Sequence, residues 1–158
     1  MTISVQLEQD AEGLFPRVLA IDPGQKRIGL AISDPFGNFA VGLETLANFE
    51  GKDILPEIDT ICQRYEVRHL VMGLPLHMNG DEGESAKKAR ALGDLLQQKL
   101  GLPVTFIDER LSSKMAEQSL REMGIQSSRN RHKGIVDQAA AMIILQDFLD
   151  CQPRKDSH

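Results

Sequence analysis

The fold is decided by the stretch Arg17-Val18-Leu19-Ala20-Ile21-Asp22, an almost continuous apolar run that Pro23-Gly24 closes. A short apolar run bounded by a turn signal is typical of a strand that is covered on both faces of its sheet. The last residue of this run is an acid. The sequence therefore predicts a central strand whose carboxyl end carries the Asp22 carboxylate.

A second strand follows at once along the chain. From Lys26 to Asp34 the large residues Ile28, Leu30 and Ile32 alternate with small ones, which is the period of a strand. The glycine-containing stretch 24–29 is assigned to a tight turn, because nucleotide-binding glycine loops lead into a helix and here a strand follows. Asp34-Pro35-Phe36-Gly37 is typical of a type I turn, and a third strand is predicted over residues 38–46.

Helices and strands then alternate. Asp53 is predicted to cap a helix whose first turn contains Pro56. The later predicted elements are a strand over residues 69–73, a helix over 85–100, a strand over 103–108, a helix from Ser112 or Ser113 to Gly124, and a helix over 134–150. Three antiparallel strands followed by this alternation predict a mixed α/β sheet with helices on both faces.

The chain of 158 residues corresponds to about one domain. We expect a loose N-terminal extension over residues 1–16, a folded domain over 17–150 and a C-terminal tail over 151–158. Cys62 and Cys151 form no Cys-x-x-C pair, which argues against a disulfide framework or a structural zinc site and fits the reducing cytoplasm. No apolar run approaches the roughly 18 residues of a membrane span, so no membrane partner is expected.

Two of the predicted central strands end in acid. Ligands of open α/β sheets bind beyond the carboxyl ends of strands, where Asp22 and the pair Asp108-Glu109 fall. On a helical wheel Asp137 shares the apolar face of the last helix with residues 140, 141, 144 and 148. Three carboxylates without His or Cys are the ligands that Mg²⁺ or Mn²⁺ prefers, and a pair of such ions can promote phosphodiester hydrolysis.

Each acid also has a purely structural interpretation. The role of Asp22 could be limited to an Asx turn before the following proline. Either member of the Asp108-Glu109 pair could form an ion pair with Arg110. Asp137 could pair with Lys133, one helical turn earlier. The joint placement of the acids at one edge of the sheet favours the metal site.

Positive charge is concentrated locally. The chain has 18 Lys and Arg against 23 Asp and Glu, a net charge of −5 that argues against a polycation coating nucleic acid. Residues 110–133 nevertheless carry a net +4, and Lys26 and Arg27 lie beside the first acid. A local basic surface suits a polyanionic backbone, the structural alternative being a solvated loop. With one Tyr and no Trp, base stacking is expected to contribute little.

Four motifs together resemble one family. They are Asp-Pro-Gly-Gln-Lys-Arg-Ile-Gly-Leu-Ala-Ile-Ser-Asp at 22–34, Gly-Leu-Pro-Leu-His-Met-Asn-Gly at 73–80, Asp-Glu-Arg-Leu-Ser-Ser at 108–113 and Lys-Gly-Ile-Val-Asp-Gln-Ala-Ala-Ala at 133–141. The chain resembles the YqgF family of RNase H-like proteins over about residues 17–150. The resemblance implies an RNase H-like mixed five-stranded sheet of order 3-2-1-4-5 with helices on both faces.

The resemblance also implies a site. Asp22, Glu109 and Asp137 resemble the acidic active-site set of the family, as catalytic residues and as ligands of Mg²⁺ or Mn²⁺. The predicted substrate-binding residues are Lys26, Arg27, Arg110, Arg131 and Lys133. Gly73 stands where related junction resolvases carry an acid, so the Asp108-Glu109 pair must supply it. The family motif and the longer side chain favour Glu109, while strand alternation leaves Asp108 as the open alternative.

The function implied by this resemblance is a cytoplasmic endonuclease that matures the 5′ end of 16S rRNA. Its expected partner is pre-16S rRNA, alone or within pre-ribosomal particles, and its expected state is a monomer or a homodimer. A Holliday junction resolvase acting on branched DNA is the first alternative. A non-catalytic RNA-binding ribosome-assembly factor is the second, motivated by the glycine in place of the acid at position 73.

Overall fold

The computed structural model describes residues 7–24, 26–48, 52–75, 80–108 and 133–152, and the backbone alone within 133–138. These residues form, in chain order, β1 (Arg17–Pro23), β2 (Arg27–Ser33), β3 (Ala40–Ala47), α1 (Leu55–Arg64), β4 (Val67–Leu74), α2 (Glu84–Leu100), β5 (Val104–Asp108) and α3 (Lys133–Asp150). The predicted elements within these ranges are confirmed, and most of their ends move by one or two residues. The helix predicted from Ser112 or Ser113 to Gly124 lies outside the described residues.

The five strands form one mixed sheet of order β3-β2-β1-β4-β5. β1 pairs antiparallel with β2, which pairs antiparallel with β3. β1 pairs parallel with β4, and β4 pairs parallel with β5. Because β1, β4 and β5 run in the same direction, their carboxyl ends meet at one edge of the sheet. The predicted strand order and mixed sheet are thus confirmed.

Helices cover both faces of the sheet, as predicted. On the face that we call the α1–α2 side, Leu19 and Ile21 of β1 pack with Ile58 of α1 and Leu96 of α2. On the opposite α3 side, buried residues of four strands pack against one helix: Val18, Ala20, Ala31, Val71, Ile107, Ala141, Ile144, Leu145 and Phe148. Alternating residues of β1 therefore enter different cores, which explains why its sequence is apolar at nearly every position.

Two turns confirm the predicted hairpins. The Gly24 N–H donates to the Arg27 carbonyl over 3.0 Å, and a Cβ at position 24 would stand 2.3 Å from that same oxygen. Only glycine fits this turn without a shift of the backbone. In the next turn the Gly37 N–H donates to the Asp34 carbonyl over 3.0 Å, with Gly37 at φ 66°.

The start of α1 differs slightly from the prediction. The cap position belongs to Ile54 rather than Asp53, and Pro56 lies in the first turn. The Asp53 carboxylate still accepts a hydrogen bond from the Leu55 N–H over 3.0 Å. It therefore satisfies one of the helix N–H groups that lack an intrahelical partner, although it lies one residue before the cap position.

The expectation of a loose segment before β1 is wrong for residues 7–16. Leu7 and Phe15 are buried in the α3-side core. The Leu7 N–H donates to the buried Gln152 Oε1 over 2.8 Å, which ties this segment to the end of α3. No helix formed by the described residues is long and apolar enough to cross a membrane.

Candidate active site at the carboxyl edge of the sheet

Asp22 is the site residue that the structure describes most fully. It is the penultimate residue of β1, it is only 9% exposed, and its Cα is opposite that of Gly29 on β2. Val18 and Ala20 belong to the α3-side core, so strand alternation directs Asp22 to the α3 side as well. The structure thus confirms that β1 presents an acid near its carboxyl end and shows which face of the sheet carries it.

Glycines flank Asp22 on both neighbouring strands. Gly29 is its partner on β2, and on β4 Gly73 directly follows Met72, the partner of Ile21. Gly73 is also the partner of Ile107, which belongs to the α3-side core. The strand positions on either side of Asp22 therefore have no side chains. A bulky ligand can approach the backbone closely at such positions. Sequence reasoning treated Gly73 only as a missing acid, because this role becomes visible only with the strand register.

Asp108 does not share the face of Asp22. It ends β5, where Val104 and Phe106 pack on the α1–α2 side while Ile107 lies on the α3 side. Strand alternation therefore directs Asp108 away from the face that carries Asp22. Glu109, the favoured second acid, lies outside the described residues. The register of β5 thus weakens the case for Asp108 as a partner of Asp22.

The length of α3 bears on where residue 137 lies relative to Asp22. Near the far end of the helix, the Phe148 ring stacks on His69 with 5.4 Å between centroids, and His69 is the register partner of Val18. From that row Asp22 is four residues along β1, about 13 Å. Asp137 is eleven residues before Phe148, about 16 Å along the helix. An α3 that runs back along β1 over this length would bring residue 137 toward the end of the α3-side layer that carries Asp22.

The predicted substrate-binding residues are described only in part. Lys26 is exposed and Arg27 half-buried, and both follow Asp22 around the β1–β2 turn. Lys133 is the first residue of α3, but its side chain is outside the described set. Arg110 and Arg131 also lie outside it. Two of the five predicted cations are thus located beside the Asp22 edge.

The donor chemistry at this edge fits a hard divalent cation. Asp22 supplies a carboxylate, and Glu109 and Asp137 would add two more, which is the all-oxygen set that Mg²⁺ and Mn²⁺ prefer. Among the side chains that the structure describes, no group of three His, Cys, Asp or Glu is close enough to hold a metal. A complete metal site at this edge therefore requires Glu109 and Asp137.

His69 is a core residue and no candidate ligand. It is buried, and its ring lies against Phe148 on one side while its Nε2 is 2.8 Å from Thr105 Oγ1. Burial lowers its pKa from 6.5 to about 4, because the protonated ring would lose its hydration. It also lies at the amino end of the sheet, away from Asp22.

The fold defines the class of protein to which this chain is similar. It superposes on Thermus thermophilus RuvC in complex with a Holliday junction substrate with a TM-score of 0.53 at 17% identity, covering 89% of this chain and 99% of that chain. It also superposes on a fowlpox virus resolvase bound to Holliday junction DNA, with a TM-score of 0.51 at 11% identity, covering 85% and 97%. The chain therefore has the fold of the RuvC-like resolvases, which is RNase H-like.

The sequence comparison is more specific. Residues 16–151 match the RuvX family, described as "Holliday junction resolvase", and the chain belongs to that family. A protein of Syntrophomonas wolfei is 44% identical over 85% of this chain and 94% of its own length, and one of Myxococcus xanthus is 41% identical over 90% and 94%. Both carry the name "Putative pre-16S rRNA nuclease". The family resemblance inferred from the four motifs is thus confirmed.

Proposed function

We propose that the protein is a divalent-metal-dependent endonuclease that hydrolyses a phosphodiester bond during 5′-end maturation of pre-16S rRNA. The observation that carries the proposal is the buried Asp22 at the carboxyl edge, flanked by Gly29 and Gly73, in a chain of this family. The names of its relatives support pre-16S rRNA as the substrate.

Asp22, Glu109 and Asp137 are the residues that would hold Mg²⁺ or Mn²⁺. Such an ion activates the attacking water and offsets charge on the leaving oxygen. Glu109 is preferred to Asp108 because β5 directs Asp108 to the α1–α2 side. Hydrolysis by this route needs no covalent nucleophile from the protein. The carboxylates would hold the ions on the α3 side of the sheet.

The basic residues would position the nucleic acid. Lys26 and Arg27 lie on the turn and strand that follow Asp22, so they are suited to phosphates on either side of the bond to be cut. Arg110, Arg131 and Lys133 are assigned the same role from their sequence positions. Because the rest of the chain is acidic, contact is expected to be confined to this edge.

The direct test is cleavage of a 5′-extended 16S rRNA transcript. The wild type is expected to cut the precursor in Mg²⁺ or Mn²⁺ and to be inactive in EDTA. Asp137→Asn should remove cleavage and keep the fold, as judged by circular dichroism. Cleavage that persists undiminished in EDTA, or in Asp137→Asn, would contradict the metal assignment.

Junction resolution is a second candidate function. The description of the family and the likeness of the fold to RuvC favour it. The same carboxylates would serve, and discrimination between RNA and DNA rests on shape and on the 2′-hydroxyl. Side-by-side cleavage of the rRNA precursor and a four-way DNA junction separates the two, since exclusive cutting of the junction would reverse the order of preference.

A non-catalytic assembly factor is the third candidate, motivated by Gly73 in place of an acid. It predicts normal rRNA maturation when the acids are neutralised and a defect only when basic residues are removed.

The endonuclease proposal also includes a cytoplasmic location, a monomeric or homodimeric state and a nuclease domain over residues 17–150. Each of these stays a prediction.

A further inference from the structure

A cavity of about 660 Å³ opens on the opposite side of the sheet edge from Asp22. Pro23 and Gly24, which directly follow Asp22, line it, and so does Ile28 of the α1–α2-side core. The β1–β2 turn therefore stands between the cavity and the Asp22 carboxylate. The cavity therefore lies next to the path of a nucleic-acid strand that crosses this turn to reach the carboxylate.

The lining combines an apolar floor with a polar rim. Ile28 and Ile54 are buried, and Leu92 of α2 adds a third aliphatic side chain. Asn48 and Ser85 contribute polar groups. A volume of this size with an apolar floor and few polar groups is typical of sites for small organic ligands. The floor is suited to the flat face of a base, which binds apolar side chains as well as aromatic ones.

The charge of the lining is positive. Among the described lining residues two are lysines and none is acidic. Lys52 is held in the wall, because its Nζ donates to the Ala47 carbonyl over 2.8 Å and pairs with Glu57 over 2.8 Å. Lys88 is exposed and forms no ion pair with any side chain in the part of the chain that the structure describes. It is therefore available to an anion.

The wall of the cavity is fixed to the turn beside the active site. The Asn48 Nδ2 donates to the Gly24 carbonyl over 2.6 Å, and the Asn48 N–H donates to the Lys26 carbonyl over 2.8 Å. One residue of the lining thus holds both ends of the turn that leads from Asp22 to Lys26. Hydrogen bonds of Asn48 therefore link the cavity wall to the turn beside Asp22.

We propose that this cavity receives an unpaired nucleotide of the substrate, adjacent to the one whose phosphate lies at Asp22. Its base packs on Pro23 and Leu92 above the buried Ile28 and Ile54, and its phosphate lies at Lys88. This proposal rests on the nuclease function proposed above, because the position of the nucleotide is defined relative to the scissile phosphate at Asp22. It places the second contact on the α1–α2 side, so the substrate strand crosses the β1–β2 turn.

The test uses binding in EDTA, so that cleavage plays no part. The probes are a fluorescein-labelled single-stranded RNA nonamer and the DNA nonamer of the same sequence, each titrated at several salt concentrations. Lys88→Glu is compared with Lys87→Glu, the neighbouring exposed lysine of α2 that does not line the cavity. We expect Lys88→Glu to weaken binding about fivefold more than the control and to lower the salt slope by about 0.7, the value for one phosphate contact in a single strand.

A second variant tests the base. Ser85→Leu places a bulky apolar side chain at the exposed rim of the cavity, where it obstructs entry, and 2-aminopurine within the RNA nonamer reports on the surroundings of the base. The wild type should change the 2-aminopurine fluorescence on binding, and Ser85→Leu should abolish that change. Thermal unfolding of each variant should match the wild type.

Equal effects of Lys88→Glu and Lys87→Glu, or an unchanged fluorescence response in Ser85→Leu, would overturn the cavity proposal even if the wild type cuts the rRNA precursor. Absence of any cleavage by the wild type would contradict the proposed function instead, and the binding results would remain interpretable. If Lys88→Glu weakens binding fivefold more than the control for only one of the two probes, that probe identifies whether the cavity receives a nucleotide of RNA or of DNA.

Discussion

The two ends of the α3-side layer use buried polar side chains differently. At the amino end, His69 is hydrogen-bonded to Thr105 and covered by the Phe148 ring. At the carboxyl end, Asp22 is about as buried, but its neighbours on both adjacent strands are Gly29 and Gly73. The amino end packs a ring and a hydrogen-bond partner against its polar group, whereas the strands on either side of Asp22 carry glycine at the adjacent positions.

The same contrast holds for the backbone. At the amino end the Val18 N–H donates to the buried Ser33 Oγ over 2.8 Å, and Gln152 holds the Leu7 N–H. Such bonds keep buried polar groups satisfied and stabilise the fold. A buried carboxylate between two glycines contributes little to packing. Changes at the amino end should therefore alter stability, and changes at the carboxyl end should alter chemistry.

The largest effect should separate Asp108, the last residue of β5, from Glu109. Glu109→Gln should lower the cleavage rate by about a hundredfold or more, since a changed metal ligand costs more than the 10–100-fold typical of its supporting residues. Asp108→Asn should stay within about threefold, because β5 directs that side chain to the α1–α2 side. Initial rates on the rRNA precursor measure both. A reversed ranking would place Asp108 in the site and contradict the register argument.

The next effect concerns His69 and pH. Its pKa is lowered to about 4 in the folded protein, so between pH 6.5 and about 4 the unfolded chain binds a proton that the folded chain excludes. Stability should therefore fall as the pH falls through this window. Urea unfolding of the wild type and His69→Gln at several pH values measures the difference. Parallel pH curves would show that folding leaves the pKa of His69 unchanged and would contradict this prediction.

The smallest effect concerns the segment before β1. Gln152→Ala removes the acceptor of the Leu7 N–H and should lower the free energy of unfolding by about 1 kcal/mol. The adjacent exposed Cys151, changed to Ser, is the matched control and should change stability little. Cleavage should be unaffected in both variants. A large loss of cleavage in Gln152→Ala would mean that the amino end contributes to the site.

Much of the fold could be predicted because each element has a clear period. The alternation in β2 and the apolar run of β1 reflect which faces they bury, and the predicted apolar face of α3 is buried in the structure. The segment over residues 7–16 could not be predicted. Its two buried residues, Leu7 and Phe15, are separated by seven residues that show no period, so only their tertiary contacts reveal their role.

The candidate site could be predicted only as a set of acids. The position of Asp22 followed from the end of an apolar run. The flanking glycines depend on register, and the different face of Asp108 depends on which core Val104 and Phe106 enter. The cavity beside the β1–β2 turn depends on the packing of two helices against the sheet. These features arise between elements, where a single sequence carries little information.

The most direct measurement is cleavage of the 5′-extended 16S rRNA transcript in Mg²⁺ by wild type and Asp22→Asn at equal concentration. Asp22→Asn should lose at least about a hundredfold in rate, because it loses a charged metal ligand. Its thermal midpoint should be equal to or above that of the wild type, since a residue kept for function is seldom the most stable choice. Wild-type rates in a correctly folded Asp22→Asn would contradict a metal-dependent nuclease centre at the carboxyl end.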